Sequence, residues 1–188
     1  MRVSELPRSR RVFGYLVAAV VLVMAATVVT GRPAHAAAGN HNMTPTGAAW
    51  SQCLDIRSNA PGTNVWLWNC QVGNPSQEWW WNDLSPSSAQ DHVYLVASAS
   101  SSYRMCWDLN SYDVGTPVIL NYCDSRLASQ RWAIKAYDFD RPGYRIVSVG
   151  SNWYKCLDLR SYATGTRVEL NWCDDSNPSQ RWLWRWTS

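Results

Sequence analysis

Three copies of one phrase run through this chain: Cys53-Leu54-Asp55-Ile56 followed by Gln77-Glu78-Trp79, Cys106-Trp107-Asp108-Leu109 followed by Gln130-Arg131-Trp132, and Cys156-Leu157-Asp158-Leu159 followed by Gln180-Arg181-Trp182. Their first cysteines lie 53 and then 50 residues apart, and the second cysteines (Cys70, Cys123, Cys173) and the glutamines keep the same intervals. Whole units repeat, so the sequence predicts a fold with three-fold internal symmetry.

The N-terminus is of another kind. Arg8, Arg10 and Arg11 precede an apolar run from Phe13 to Val29, and Ala34-His35-Ala36 offers small residues where a signal peptidase reads. Residues 1–36 are therefore expected to be an export signal that is removed, leaving one domain over 37–188. The apolar run is at the short end for a bilayer span, so no membrane insertion is expected of the mature chain. Ser9-Arg10-Arg11-Val12-Phe13 also resembles the start of a twin-arginine signal. That route exports chains already folded in a reducing cytoplasm, which suits disulfide-bonded proteins poorly, so the general secretory route and a secreted, extracellular location are expected.

Removing the signal changes the charge. The net charge of +3 includes five arginines and one glutamate from residues 1–36, without which 12 basic residues face 13 acidic ones. No basic stripe remains to track phosphates, and nucleic acid is not an expected partner. All 13 tryptophans fall in the mature chain, whose only phenylalanine is Phe139, a bias toward flat indole surfaces.

Six cysteines in an exported chain read as three disulfides. Repeat symmetry leaves two natural pairings: within each unit (Cys53–Cys70, Cys106–Cys123, Cys156–Cys173), or between successive units with Cys53 closing on Cys173. The local set closes three short loops of equal length and is the expected one. The spacing matches no zinc pattern, and His41 and His92 lie outside these pairs, so neither a metal nor a cofactor is expected.

Within a unit the signals are short strands and tight turns. Val93-Tyr94-Leu95-Val96, Tyr144-Arg145-Ile146-Val147 and Val118-Ile119-Leu120 are β-rich, and Gly62-Thr63, Gly115-Thr116 and Gly165-Thr166 stand at equal distances from the first cysteine, where the chain must reverse. No helical period emerges. Units over about 40–89, 90–139 and 140–188 are predicted to hold about four strands each. The weakest is the opening strand of the first unit, where His41-Asn42-Met43 sits beside Pro45, Thr46 and Gly47.

Three units, each with Cys-x-Asp, Gly-Thr, a second cysteine and Gln-x-Trp, resemble the ricin-type β-trefoil (Gln-x-Trp) lectins over about residues 40–188. The resemblance implies an all-β, pseudo-three-fold β-trefoil: a six-stranded barrel capped by three hairpins, with a shallow sugar pocket in each unit. It also implies roles. The aspartate after the first cysteine takes sugar hydroxyls, an aromatic two residues before the second cysteine stacks on the ring, and polar residues at and before the glutamine complete the pocket. A sugar ring has hydroxyls round its edge and C–H groups on one face, so a binder needs a carboxylate, amides and an aromatic plane.

The candidate carbohydrate-binding residues are therefore Asp55, Trp68, Asn74 and Gln77 in unit one, Asp108, Tyr122 and Gln130 in unit two, and Asp158, Trp172, Asn177 and Gln180 in unit three. Only Trp68 holds the stacking position; Asn121 and Asn171 stand there in the later units, with Tyr122 and Trp172 one residue on. A one-residue slip turns a strand side chain to the other face, so either those pockets are inactive or the strand bends. Unit one is expected to be the best pocket and unit two, with Leu127 in place of Asn74 or Asn177, the poorest. Trp79, Trp132 and Trp182 are expected in the core, and Trp66, on the same face as Trp68, is expected to be structural, with extension of the platform to a second sugar as the alternative if it is exposed.

The expected function is that of a secreted carbohydrate-binding protein whose partners are glycans. No Ser-His-Asp, Cys-His or metal constellation can be assembled, and Asp174-Asp175 are adjacent rather than set across a cleft, so no enzymatic activity is expected. The alternative is a trefoil scaffold that binds a protein partner after its sugar pockets have decayed.

Overall fold

The structure, a computed structural model, describes residues 40–86, 89, 91–135 and 143–186. The expected export signal over 1–36 lies outside the described residues. The strands are β1 (His41–Pro45), β2 (Gln52–Ile56), β3 (Val65–Asn69), β4 (Trp79–Asp83), β5 (Val93–Ser98), β6 (Met105–Asp108), β7 (Ile119–Tyr122), β8 (Trp132–Lys135), β9 (Arg145–Ser148), β10 (Lys155–Leu159), β11 (Val168–Trp172) and β12 (Trp182–Trp186). The helical segments among the described residues are single 3-10 turns of three residues.

Six strands close a barrel in the order β9, β8, β5, β4, β1, β12, all antiparallel. Backbone hydrogen bonds between Tyr144 and Trp182, at 2.8 and 2.9 Å, join the last strand back to the ninth. The opening strand that propensity leaves weakest forms over five residues, pairing from His41↔Trp186 to Pro45↔Trp182. Its ladder is supplied by the far end of the chain, and the fully buried Met43 anchors it, so tertiary pairing outweighs local preference.

The other six strands form the hairpins β2–β3, β6–β7 and β10–β11. Each hairpin tip bonds to the middle of the next. Gly62 N–H and Thr63 C=O meet Leu120, Gly115 and Thr116 meet Leu170, and Gly165 and Thr166 meet Leu67, at 2.7 to 2.9 Å. The three glycines have φ of +82°, +85° and +89°, where a Cβ would be strained, which is why the turn repeats glycine. Leu54, Leu67, Leu120, Leu157 and Leu170 are fully buried with Trp79, Trp107, Trp132 and Trp182. Trp79 meets Trp107 edge-on at 5.1 Å, an indole core.

The bridges are the local set: Cys53–Cys70, Cys106–Cys123 and Cys156–Cys173. Each spans a sequence separation of 17 and fastens the start of one hairpin strand to the end of its partner, contributing about 3 kcal/mol in the chain-entropy model.

Candidate functional site

The repeated motifs are two halves of one clamp. The Gln77 amide donates to Asp55 Oδ2 (2.9 Å) and to the Asn69 carbonyl (2.8 Å), while its oxygen accepts from Gln71 N–H (2.8 Å). Gln130 repeats this with Asp108, Tyr122 and Asp124, and Gln180 with Asp158, Trp172 and Asp174. Two residues on, the indoles of Trp79, Trp132 and Trp182 donate to the carbonyls of Leu54, Trp107 and Leu157. The glutamines are at most 1 % exposed. Each thus has both amide hydrogens and its oxygen engaged inside the protein, where it holds the clamp together.

The aspartates differ in what capacity the protein leaves them. A carboxylate has about four acceptor sites. Asp158 meets five donors: Leu159 N–H (2.7 Å), Asn171 Nδ2 (2.9 Å), Gln180 Nε2 (3.1 Å), the Ser179 hydroxyl and, at 3.5 Å, Asn177 Nδ2. Asp108 meets Leu109 N–H (2.8 Å), Asn121 Nδ2 (3.1 Å) and Gln130 Nε2 (3.2 Å). Asp55 meets two among the described residues, the Ser76 hydroxyl (2.6 Å) and Gln77 Nε2. Trp68 stands where Asn121 and Asn171 do and has no amide to give.

Trp68 lies opposite Cys53, on the face that carries Asp55, and Trp66 lies directly opposite Asp55. Both indoles are half-buried. The Arg57 guanidinium rests over Trp68 at 4.6 Å and over Trp66 at 5.7 Å, and has no carboxylate or hydrogen-bond partner among the described residues. A carboxylate with two open acceptor sites, an indole and unpaired guanidinium N–H groups thus share one patch. Trp66 is not a free extension of that platform. It walls a small cleft with Arg160, Thr166, Arg167 and Glu169, and Glu169 is ion-paired to Arg160.

Tyr122 and Trp172 are not brought to the aspartates. Strands β6–β7 and β10–β11 pair without interruption through Met105↔Tyr122 and Lys155↔Trp172, so neither strand bends. Alternation sends these rings to the face opposite Asn121 and Asn171, where they are 67 % and 60 % exposed. Asn74 and Asn177 mainly cap 3-10 turns, each accepting from the backbone N–H and hydroxyl of Ser76 or Ser179.

A family model for the ricin-type beta-trefoil lectin domain matches residues 38–132 and 92–187. The chain belongs to that family. Among solved structures, the domain is similar to the designed three-fold symmetric protein ThreeFoil (23 % identity, TM-score 0.63, covering 78 % of this chain and 97 % of that one). It is similar to the Polyporus squamosus lectin solved with the epitope Neu5Aca2-6Galb1-4GlcNAc (22 %, 0.60, 79 % of this chain and 49 % of that one). The C-half of an earthworm R-type lectin in complex with GalNAc is more distant in sequence (14 %, 0.55, 79 % and 98 %). At these identities the likeness carries the fold. No curated protein matches the sequence.

One feature of this ricin-type domain escapes the motif reading. Trp50, Tyr103 and Trp153, each three residues before a first cysteine, have φ of 66°, 62° and 68° and are 50 %, 45 % and 36 % exposed. An aromatic residue in the left-handed region costs roughly 1–2 kcal/mol, so the loop before each hairpin holds an outward indole or phenol against its own preference. The repeat of an aromatic at that offset was the available signal.

Proposed function

We propose that the chain is an exported glycan-binding protein without catalysis, and that the Asp55–Trp68 patch of unit one carries most of its affinity. The observation behind this reading is the unequal loading of the three aspartates. Asp55 retains acceptor sites for sugar hydroxyls beside an indole and Arg57, whereas Asn171 and its neighbours saturate Asp158. Charge-assisted hydrogen bonds to a carboxylate are about twice as strong as neutral ones, so two open sites are enough to orient a ring that stacks on Trp68. Family membership and the sugars named for the Polyporus and earthworm lectins support the ligand class. Three disulfides support an oxidising destination.

A glycan array probed with the disulfide-bonded chain tests the reading. Binding to defined sugars is expected, with Trp68→Ala removing most of it and Asp55→Asn weakening it by loss of charge at constant shape. Retention in Trp68→Ala together with loss in Trp172→Ala would overturn the choice of unit. The saturated aspartate of unit three and the more heavily loaded one of unit two favour a second reading, a trefoil scaffold for a protein partner, and silence across the array would move the conclusion there.

A further inference from the structure

Successive units meet in the same way three times: the residue six after a first cysteine lies against the residue six before the next. Tyr112 lies against Gly150, where an added Cβ would come within 2.2 Å of the phenol oxygen, and Tyr162 lies against Gly47, where it would come within 2.2 Å of the ring. At these two junctions glycine is required by the tyrosine's volume. Between units one and two the pair is Asn59 and Ser100. The Asn59 amide donates to the Ser100 carbonyl (3.0 Å), and the Ser100 hydroxyl donates to Asn59 Oδ1 (2.9 Å). The junction is tied together without a ring, and it carries a groove of about 230 Å³ lined by Asn59, Ser100, Ser102, Arg104, Met105 and Tyr122.

The lining has the two kinds of surface a sugar requires. Tyr122, 67 % exposed, supplies an aromatic plane, and the buried Met105 beside it is apolar. Round the rim the Ser102 hydroxyl and the Arg104 guanidinium have no partner among the described residues, and Asn59 keeps one amide hydrogen unassigned. The residues at the place of Tyr122 are otherwise engaged in the sister units. Trp172 carries the Lys155 ammonium over its ring, and Asn69 is bonded to Gln52 and Thr164. Among these three junctions, only the first joins an uncovered aromatic face to an open polar groove.

We propose that this groove is a second glycan site, which takes one pyranose ring with its C–H face on Tyr122 and its hydroxyls on Asn59, Ser102 and Arg104. The proposal rests on the glycan-binding reading and is separate from the Asp55–Trp68 patch. Tyr122 thereby has a role that its place on the strand face opposite Asn121 and Asp108 denies it in unit two's own pocket. Two sites on one rigid body favour polymeric glycans through effective concentration.

The test is a site-resolved titration of the isotope-labelled, disulfide-bonded chain with lactose and with xylopentaose. Amide signals of 100–104 and 122 are followed apart from those of 55, 68 and 76. At least one probe is expected to shift the first group saturably, in the native chain and in Trp68→Ala alike. Tyr122→Ala should weaken that response roughly tenfold. Asn59→Tyr/Ser100→Gly, which rebuilds the pairing of the other junctions, should abolish it while the thermal melt remains cooperative. Shifts confined to the Asp55 group, or groove shifts that persist in the double variant, would overturn the second site alone. Shifts in neither group with both probes would overturn it together with the glycan-binding reading.

Discussion

Asp158 in unit three is 4 % exposed and surrounded by five donors, whereas Asp55 in unit one is 9 % exposed and meets two: an indole stands where Asn171 does, and the Asn74 amide donates to Gln71 rather than to the aspartate. The clamp beneath is the same in both: a bridge of equal span, a buried glutamine on the aspartate, and an indole bonded to the backbone next to the first cysteine. The difference teaches that Cys-x-Asp and Gln-x-Trp report the scaffold, and that binding capacity is decided by what neighbouring side chains leave unsatisfied. A motif can be intact and its pocket closed.

If the scaffold is shared equally, removing it should be equally costly in either unit. Replacing Cys53 and Cys70 by Ala, or Cys156 and Cys173 by Ala, should each lower unfolding free energy by about 3 kcal/mol, as read from denaturant titration. A large inequality between the two would break the comparison. Next in size, Gln77→Ala and Gln180→Ala should each cost about 2 kcal/mol, since each leaves a backbone carbonyl, a backbone N–H and a carboxylate short of a partner. Glycan binding should suffer in Gln77→Ala and be unaffected in Gln180→Ala.

Trp68→Asn gives unit one the side chain of unit three. The new amide should reach Asp55 as Asn171 reaches Asp158, so calorimetric stability should change little while glycan affinity falls at least tenfold, about 1.4 kcal/mol. Unchanged affinity would mean that the open acceptor sites of Asp55 are not what sugar uses.

The smallest effect concerns unit two, where Arg126 holds the Asp124 carboxyl down to about 2 through side-chain and backbone hydrogen bonds. The folded value lies below the unfolded one, so whatever this pair contributes is present above the ordinary carboxylate range and is lost as pH falls toward 2. Arg126→Ala should return the Asp124 titration, followed by NMR, toward the ordinary range. Because the Arg126 side chain is solvent-exposed and water screens the pair, the melting temperature at neutral pH should be unchanged.

Much of the architecture was legible in the sequence because each local signal occurs three times in register. Gly62, Gly115 and Gly165 mark turns that only a positive φ allows, equal cysteine spacing made local pairing the economical choice, and Trp79, Trp132 and Trp182 follow the core. The strand alternation that separates Asn121 from Tyr122 and Asn171 from Trp172 was also readable, and the uninterrupted register keeps it. Tertiary structure decided the rest, because it depends on groups far apart in the chain. Whether Asp55 or Asp158 has acceptor sites to spare is fixed by donors up to 22 residues away. Whether a junction is filled by a tyrosine or left as a groove is fixed by which residue of the next unit meets Asn59, Tyr112 or Tyr162. Spacing alone names the residue types that meet a sugar; hydrogen-bond saturation and packing volume, which sum over neighbours the spacing does not reveal, choose among them.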